Sequence, residues 1–184
     1  KLWRSSHPDG DYFRGLDLVQ QDDRVAVSNL FFDTWYDYGA RETLMMAEQF
    51  RALAETPDAN RQHLVIGAGT HCNYPEKDEE LSAGDRPLAN ASFAWQDLEK
   101  RWYDFWLKGV GQNPVEDFLT YYVLGADEWR SADAWPIPGT QRTRWYFDSS
   151  SPANSKSGGG VLLRDASSDV GHDQFEYDPS SPVP

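Results

Sequence analysis

The chain has 184 residues, which is the length of one domain or of one and a half. Lys plus Arg total 17 and Asp plus Glu total 30, and the resulting net charge of −13 argues against nucleic acid and anionic membrane surfaces as partners. The single cysteine, Cys72, excludes an internal disulfide and a cysteine-rich zinc site, and no apolar run approaches the ~20 residues of a membrane span. We therefore expect a soluble protein, cytoplasmic or secreted, whose core depends on large aromatic rings.

The first predicted elements form a strand, a helix and a second strand. Residues 1–23 are polar and aromatic and predict irregular structure or a short helix, and the apolar run 25–32 predicts a buried strand. A helix ending before Pro57 is predicted by an apolar stripe of Thr43, Met46, Ala47, Phe50, Leu53 and Ala54. The apolar segment 63–69 predicts the second strand. Two continuously apolar strands around one helix indicate a parallel βαβ unit in an open α/β sheet.

A loop rich in acidic residues, glycine and proline is predicted over residues 72–90, and an aromatic helix follows it. Asn90 or Ser92 is its expected N-cap and Gly109 its end. Its apolar stripe, which we interpret as core, is Ala94, Trp95, Leu98, Trp102, Phe105 and Trp106.

From about Glu116 the apolar period shifts towards two. Short strands are predicted at 118–125, 143–148 and 161–165, separated by turn-rich sequence. This spacing is typical of the start of a β-sandwich, and three strands are too few to close one. We therefore predict an α/β fold before a boundary near residues 112 and 113, and the opening of an all-β domain after it.

Asp37 and His71 are the candidate catalytic residues. Reactive groups in an open parallel sheet collect beyond the carboxyl ends of the strands, and both residues follow a predicted strand. Neighbouring strands lie ~4.8 Å apart, so the two side chains could form a hydrogen bond. A carboxylate that precedes an imidazole in the chain matches the last two members of the Ser, Asp, His order of α/β-hydrolases.

Other interpretations of these residues remain open. Asp33 is the rival acid, and Asp37 could instead cap the helix that follows it. His63 opens a strand and is expected to be structural, and Cys72 lacks the partners that a metal site needs. An acidic cluster, either a solvated loop or a site for a substrate amino group, comprises Glu76, Asp78, Glu79 and Glu80.

Four segments in order resemble a known family. They are LFFDTWYDYGARETL, HLVIGAGTHCNY, RWYDFWLKGVG and YYVLGADEWRSADAWP, and together they resemble the C-terminal half of the X-prolyl dipeptidyl peptidase and cocaine esterase (CocE/NonD) group of serine hydrolases. In that family a Trp-Tyr-Asp segment carries the triad acid and a Gly-Pro-Trp-x-His-like segment carries the base. The resemblance therefore implies that Asp37 is the acid and His71 the base. Two departures are Thr34, where the family has Gly, and Ala68-Gly69-Thr70, where it often has Pro-Trp.

The resemblance also implies a domain layout and a reaction. Residues 1–23 would end a helical cap, 24–112 would form the C-terminal part of an α/β-hydrolase domain, and 113–184 would begin a jelly-roll β-sandwich, so that the chain is truncated at both ends. None of the fifteen serines lies in a Gly-x-Ser-x-Gly motif. The nucleophile would then belong to a missing N-terminal half, and the fragment alone would be inactive.

The expected partners follow from this layout. The intact protein would cleave a small ester or peptide substrate without a metal or an organic cofactor, and the fragment would associate with its missing half or with another chain. The alternative is a non-enzymatic module, in which the β-rich half binds a partner and the α/β half supports it.

Overall fold

The computed structural model describes residues 10–16, 19–20, 22–71, 73–76, 80–149, 151–154, 158–167 and 172–180. The interpretations of Cys72, Asp78 and Glu79 concern residues outside these ranges. The chain divides into two compact units, residues 1–138 and 139–184. Within the described ranges no helix combines the length and the apolar character needed to cross a membrane.

The elements of the first unit begin with a short helix and continue as a mixed α/β arrangement. In chain order they are α1 (Asp11–Arg14), β1 (Leu30–Tyr36), α2 (Ala40–Ala52), β2 (His63–Thr70), β3 (Leu81–Ala83), β4 (Arg86–Leu88), α3 (Trp95–Lys108), β5 (Leu119–Val123) and β6 (Glu128–Ala132). The second unit contains β7 (Tyr146–Ser149) and β8 (Gly160–Leu163), which pair as an antiparallel hairpin.

A four-stranded sheet in the order β1-β2-β5-β6 organises the first unit. Strands β1, β2 and β5 are parallel, and β6 is antiparallel to β5. Residues 63–69 of β2 are all buried, as expected for a central strand covered on both faces. Helix α2 connects β1 to β2 and packs its Leu44 and Ala47 against Leu64 and Ile66. The structure thus confirms the predicted parallel βαβ unit.

Strand β1 begins later in the chain than predicted. The apolar run 25–32 contributes only its last three residues, and the strand continues through the buried Asp33 and Thr34. Val25 instead forms an isolated bridge with Ala54, two residues after the end of α2. The prediction failed because it read apolar residues as strand and polar residues as loop, whereas a hydrogen-bonded polar residue is tolerated inside a sheet.

The buried face of α2 also differs from the predicted stripe. Its buried residues are Ala40, Leu44 and Ala47, and Met46 is exposed. Ala47 belongs to both the predicted stripe and the buried face, whereas the buried residue of the preceding turn is Leu44 and not the predicted Thr43. A flexible methionine can occupy the edge of a helix interface without being buried, which makes it a weak marker of the core face.

The sheet extends across the predicted domain boundary at residues 112 and 113. Leu119 and Tyr122 of β5 are completely buried, and β5 pairs in parallel with β2. Residues 113–138 therefore belong to the α/β unit, which corrects the prediction that they open a β-sandwich. In the second unit the strands predicted at 143–148 and 161–165 correspond to the β7–β8 hairpin. The jelly-roll stays a prediction.

Helix α3 begins at Trp95 with Ala94 as its N-cap, so the prediction of Asn90 or Ser92 is wrong. Glu76 supplies the missing cap, because its Oε1 accepts a hydrogen bond from the Gln96 N–H at 3.2 Å. The helix ends as predicted at Gly109, whose φ of 67° is left-handed. The loop predicted over residues 72–90 contains the hairpin β3–β4.

Candidate active site

An irregularity in the pairing of β1 with β2 sets the geometry of the site. Leu30 pairs with His63 and Thr34 with Gly67, a constant separation of 33 residues along the chain, whereas Tyr36 pairs with Thr70, a separation of 34. Strand β2 therefore contains one extra residue near its carboxyl end, as in a β-bulge. Asp37 and His71 directly follow β1 and β2 and are also 34 residues apart. They therefore lie level with each other at the carboxyl edge of the sheet.

Asp37 and His71 form a direct hydrogen bond at this edge of the sheet. His71 Nδ1 lies 2.6 Å from Asp37 Oδ2. An ionised carboxylate can only accept hydrogen bonds, so the imidazole donates its Nδ1–H and leaves Nε2 free of that proton when the ring is neutral. The Asp37 side chain is 10% exposed and the His71 side chain is 57% exposed. The acid is therefore covered while the imidazole is accessible from outside.

The Asp37 carboxylate is fixed by the start of the chain segment that leads into α2. Its second oxygen, Oδ1, accepts a hydrogen bond from the Gly39 N–H at 3.0 Å, and the Asp37 N–H donates to the Thr34 carbonyl at 3.0 Å. The Gly39 N–H, and then the bond to His71, hold the pKa of Asp37 below its ordinary value of 3.8. The carboxylate is thus kept ionised and oriented towards the imidazole.

A tight turn carries His71 away from β2. The Asn73 N–H donates to the Thr70 carbonyl at 2.9 Å, which closes a turn around His71. A Cβ on Gly69 would lie only 1.9 Å from the Asn73 carbonyl oxygen, so no other residue type fits there without movement of the backbone. The Thr34 hydroxyl also donates to the Thr70 carbonyl at 3.2 Å. Thr34 and Gly69 thus shape this turn.

Tyr38 makes the second side-chain contact to the imidazole. The centroids of the Tyr38 and His71 rings are 5.1 Å apart and their planes are inclined by 37°. This separation lies within the range in which aromatic pairs attract each other. Tyr38 was not predicted from the sequence, because the letters around an exposed aromatic residue do not reveal which side chain lies beside it in space.

The rival candidates have hydrogen-bond partners other than His71. Asp33 is buried inside β1, where its Oδ1 accepts the N–H of Thr34 at 2.7 Å. His63 lies at the opposite end of β2 from His71, with its Nδ1 at 2.7 Å from the Asp117 carbonyl. Burial lowers the pKa of His63 to about 4, so the ring is neutral near pH 7 and structural, in agreement with the sequence analysis.

Three other features of the described residues bear on this site. Among them, no group of three or more His, Cys, Asp or Glu side chains is arranged to hold a metal ion. Glu76, from the acidic cluster, is engaged at the N-terminus of α3. A depression of about 800 Å³ lies on the β7–β8 hairpin and includes neither Asp37 nor His71. The site is therefore an acid–imidazole pair on an open rim of the sheet.

Comparison with known proteins gives one curated relative and several structural ones. No family model matches the chain. The chain is 31% identical over 187 residues to cocaine esterase from Rhodococcus sp. (strain MB1 Bresler), an alignment that covers 97% of this chain and 30% of that protein. The chain thus spans less than a third of the length of this relative. It is also similar to a solved CocE/NonD family hydrolase from Staphylococcus aureus, with 20% identity, a TM-score of 0.48, and coverage of 77% of this chain and 23% of that one.

Proposed function

The chain belongs to the cocaine esterase-like (CocE/NonD) family of hydrolases, and from this premise we propose that it supplies the acid and the base of a Ser-Asp-His triad. One observation carries the proposal. His71 Nδ1 lies 2.6 Å from Asp37 Oδ2 at the carboxyl edge of two adjacent parallel strands, where active sites of open α/β sheets are built.

The pair has the chemistry that nucleophilic catalysis requires. His71 Nε2 removes the proton from a serine hydroxyl as that oxygen attacks the acyl carbonyl, and it later returns the proton to the leaving group. Asp37 holds the ring in the tautomer with the proton on Nδ1 and stabilises the imidazolium that forms in the transition state. The exposure of His71 supports this role, because the reacting serine must reach the imidazole.

The serine lies in sequence outside these 184 residues. None of the fifteen serines of the chain stands in a Gly-x-Ser-x-Gly motif, which holds the nucleophile on a strand-to-helix turn in α/β-hydrolases. The backbone donors of the oxyanion hole belong to that same outside part. The 184-residue chain alone therefore has no hydrolase activity, since the covalent route is absent even with Asp37 and His71 correctly paired.

The bond cleaved is an ester or the amide of an X-prolyl peptide. The name of the curated relative is that of an esterase, which favours ester cleavage by acyl transfer. Both reactions pass through an acyl-enzyme and use the same acid and base in the same order. The proposed substrate is a small ester or a short peptide, and the acidic charge of this chain disfavours polyanions.

Reaction of the full-length protein with a fluorophosphonate probe tests this function. The probe captures a serine that a neighbouring imidazole has activated, and mass spectrometry of the peptides identifies that serine. We expect capture on one serine outside the 184 residues, and we expect the His71→Ala variant to slow capture by orders of magnitude. His172→Ala, in the second unit, is the matched control and should react like the wild type. Absence of capture, or equal capture rates for His71→Ala and the wild type, would contradict the proposal.

A further inference from the structure

The His71 imidazole needs a second contact to be held in one orientation. Its hydrogen bond to Asp37 restrains Nδ1, but one hydrogen bond still permits combined changes of the side-chain torsions χ1 and χ2 that tilt the ring. With 57% of its side chain exposed, the ring is not fixed by surrounding core packing. Such a tilt would move Nε2, the ring nitrogen that must face the serine in the proposed function.

Tyr38 provides such a contact from a fixed part of the chain. It lies between Asp37 and Gly39, which are joined by the hydrogen bond from the Gly39 N–H to Asp37 Oδ1 at 3.0 Å. This short turn sets the backbone from which the tyrosine side chain projects. The tyrosine is 86% exposed, so burial in the core does not account for the position of its ring. In the described part of the structure, the ring contact that it makes is with His71.

We propose that Tyr38 is a positioning residue for His71. Its ring packs against one face of the imidazole, and together with the hydrogen bond to Asp37 it fixes the plane of the ring and therefore the direction of Nε2. The proposal concerns the aromatic ring and not the hydroxyl, so phenylalanine should serve equally well. It rests on the proposed function only for its catalytic consequence, because the contact between the two rings is measurable in the 184-residue chain itself.

Nuclear magnetic resonance of the 184-residue chain with isotopically labelled histidine tests the contact. An aromatic ring at 5.1 Å displaces the signals of the imidazole ring protons through its ring current. We expect the His71 signals of the wild type and of Tyr38→Phe to coincide, and those of Tyr38→Ala and Tyr38→Leu to move together to a different position. Tyr103→Ala, which removes an exposed tyrosine from α3, is the matched control and should leave the His71 signals in place. Unchanged His71 signals in Tyr38→Ala would overturn the proposal.

Kinetics of the full-length protein test the catalytic consequence. Loss of one aromatic contact should lower kcat of Tyr38→Ala by about threefold to tenfold, with KM little changed, and Tyr38→Phe should restore kcat. Wild-type kcat in Tyr38→Ala would show that the contact does not position the base and would overturn the proposal. Failure of the proposed function has a different signature, because His71→Ala would then also retain wild-type turnover.

Discussion

His71 lies level with Asp37 because strand β2 contains one residue more than β1 near the carboxyl edge of the sheet. Up to the pair Thr34 and Gly67 the strands run 33 residues apart in sequence, and from Tyr36 and Thr70 they run 34 apart. Without the extra residue, Asp37 would lie level with Thr70. The irregularity is thus the structural cause of the 2.6 Å contact between the acid and the imidazole.

The turn that carries His71 depends on glycine at position 69. We expect Gly69→Ala to destabilise the chain by at least about 2 kcal/mol, because the new Cβ would lie 1.9 Å from the Asn73 carbonyl oxygen and the backbone must move. Urea unfolding followed by circular dichroism measures this change in the free energy of unfolding.

Gly39→Ala is the matched control for that variant. The nearest atom to a Cβ on Gly39 is Asp37 Oδ1 at 3.6 Å, an ordinary contact, and the φ of −91° suits alanine. Its free energy of unfolding should stay within about 0.5 kcal/mol of the wild type. Equal stability of Gly69→Ala and Gly39→Ala would show that the turn around His71 differs from the one described.

The pKa of Asp37 should respond to removal of the imidazole. The Gly39 N–H is the larger cause of its lowering and the bond to His71 is the next, so His71→Ala should raise this pKa while leaving it below 3.8. The lowered pKa adds stability above pH 3.8, and this contribution is lost as the pH falls through the pKa of the folded state. Titration of the carbon-13-labelled Asp37 carboxyl measures this pKa in the wild type and in His71→Ala. The same pKa in both proteins would contradict the hydrogen bond between Asp37 and His71.

Burial of His63 should make the chain less stable in mild acid. Its pKa is about 4 when folded and 6.5 as a model value, so between these pH values the unfolded chain binds the extra proton. The free energy of unfolding should therefore decrease as the pH falls from 6.5 to 4, by about 3 kcal/mol in total for this one residue. Unfolding curves over this range measure the effect.

Two variants separate His63 from the other titrating groups. His63→Gln should reduce the change in the free energy of unfolding between pH 6.5 and 4, because glutamine does not take up a proton in this range. His172→Gln should leave the profile as in the wild type, because His172 is exposed. A His63→Gln profile that falls as steeply as the wild-type profile would refute the assignment.

The contact between Asp37 and His71 could be predicted from the sequence because it depends on topology. Parallel strands joined by one helix place the residues that follow them at the same edge, and Asp37 and His71 meet there. The extra residue in β2 could not be predicted, since nothing in the letters of residues 63–70 marks where pairing slips by one. Tyr38 was missed for a related reason, because an exposed aromatic residue in a turn has no pattern that reveals its neighbour in space.

The errors in the fold have physical causes that differ by element. Strand β6, EWRSA, is an edge strand with a largely exposed polar surface, and such strands lack the apolar alternation by which strands are recognised. Strand β5 was recognised as a strand but assigned to the wrong sheet. Its pattern resembles that of a sandwich strand, and only its parallel pairing with β2 shows that it extends the α/β sheet.

We expect the carboxylate of Asp37, and not that of Asp33, to orient His71 for catalysis. A comparison of two matched variants of the full-length protein tests this most directly. Asp37→Asn should lower kcat for ester hydrolysis by about 10⁴-fold, because an amide cannot hold the imidazole in the required tautomer. Asp33→Asn should retain kcat within a few fold, because its side-chain oxygen can still accept the Thr34 N–H. Wild-type kcat in Asp37→Asn, or a loss confined to Asp33→Asn, would contradict the account.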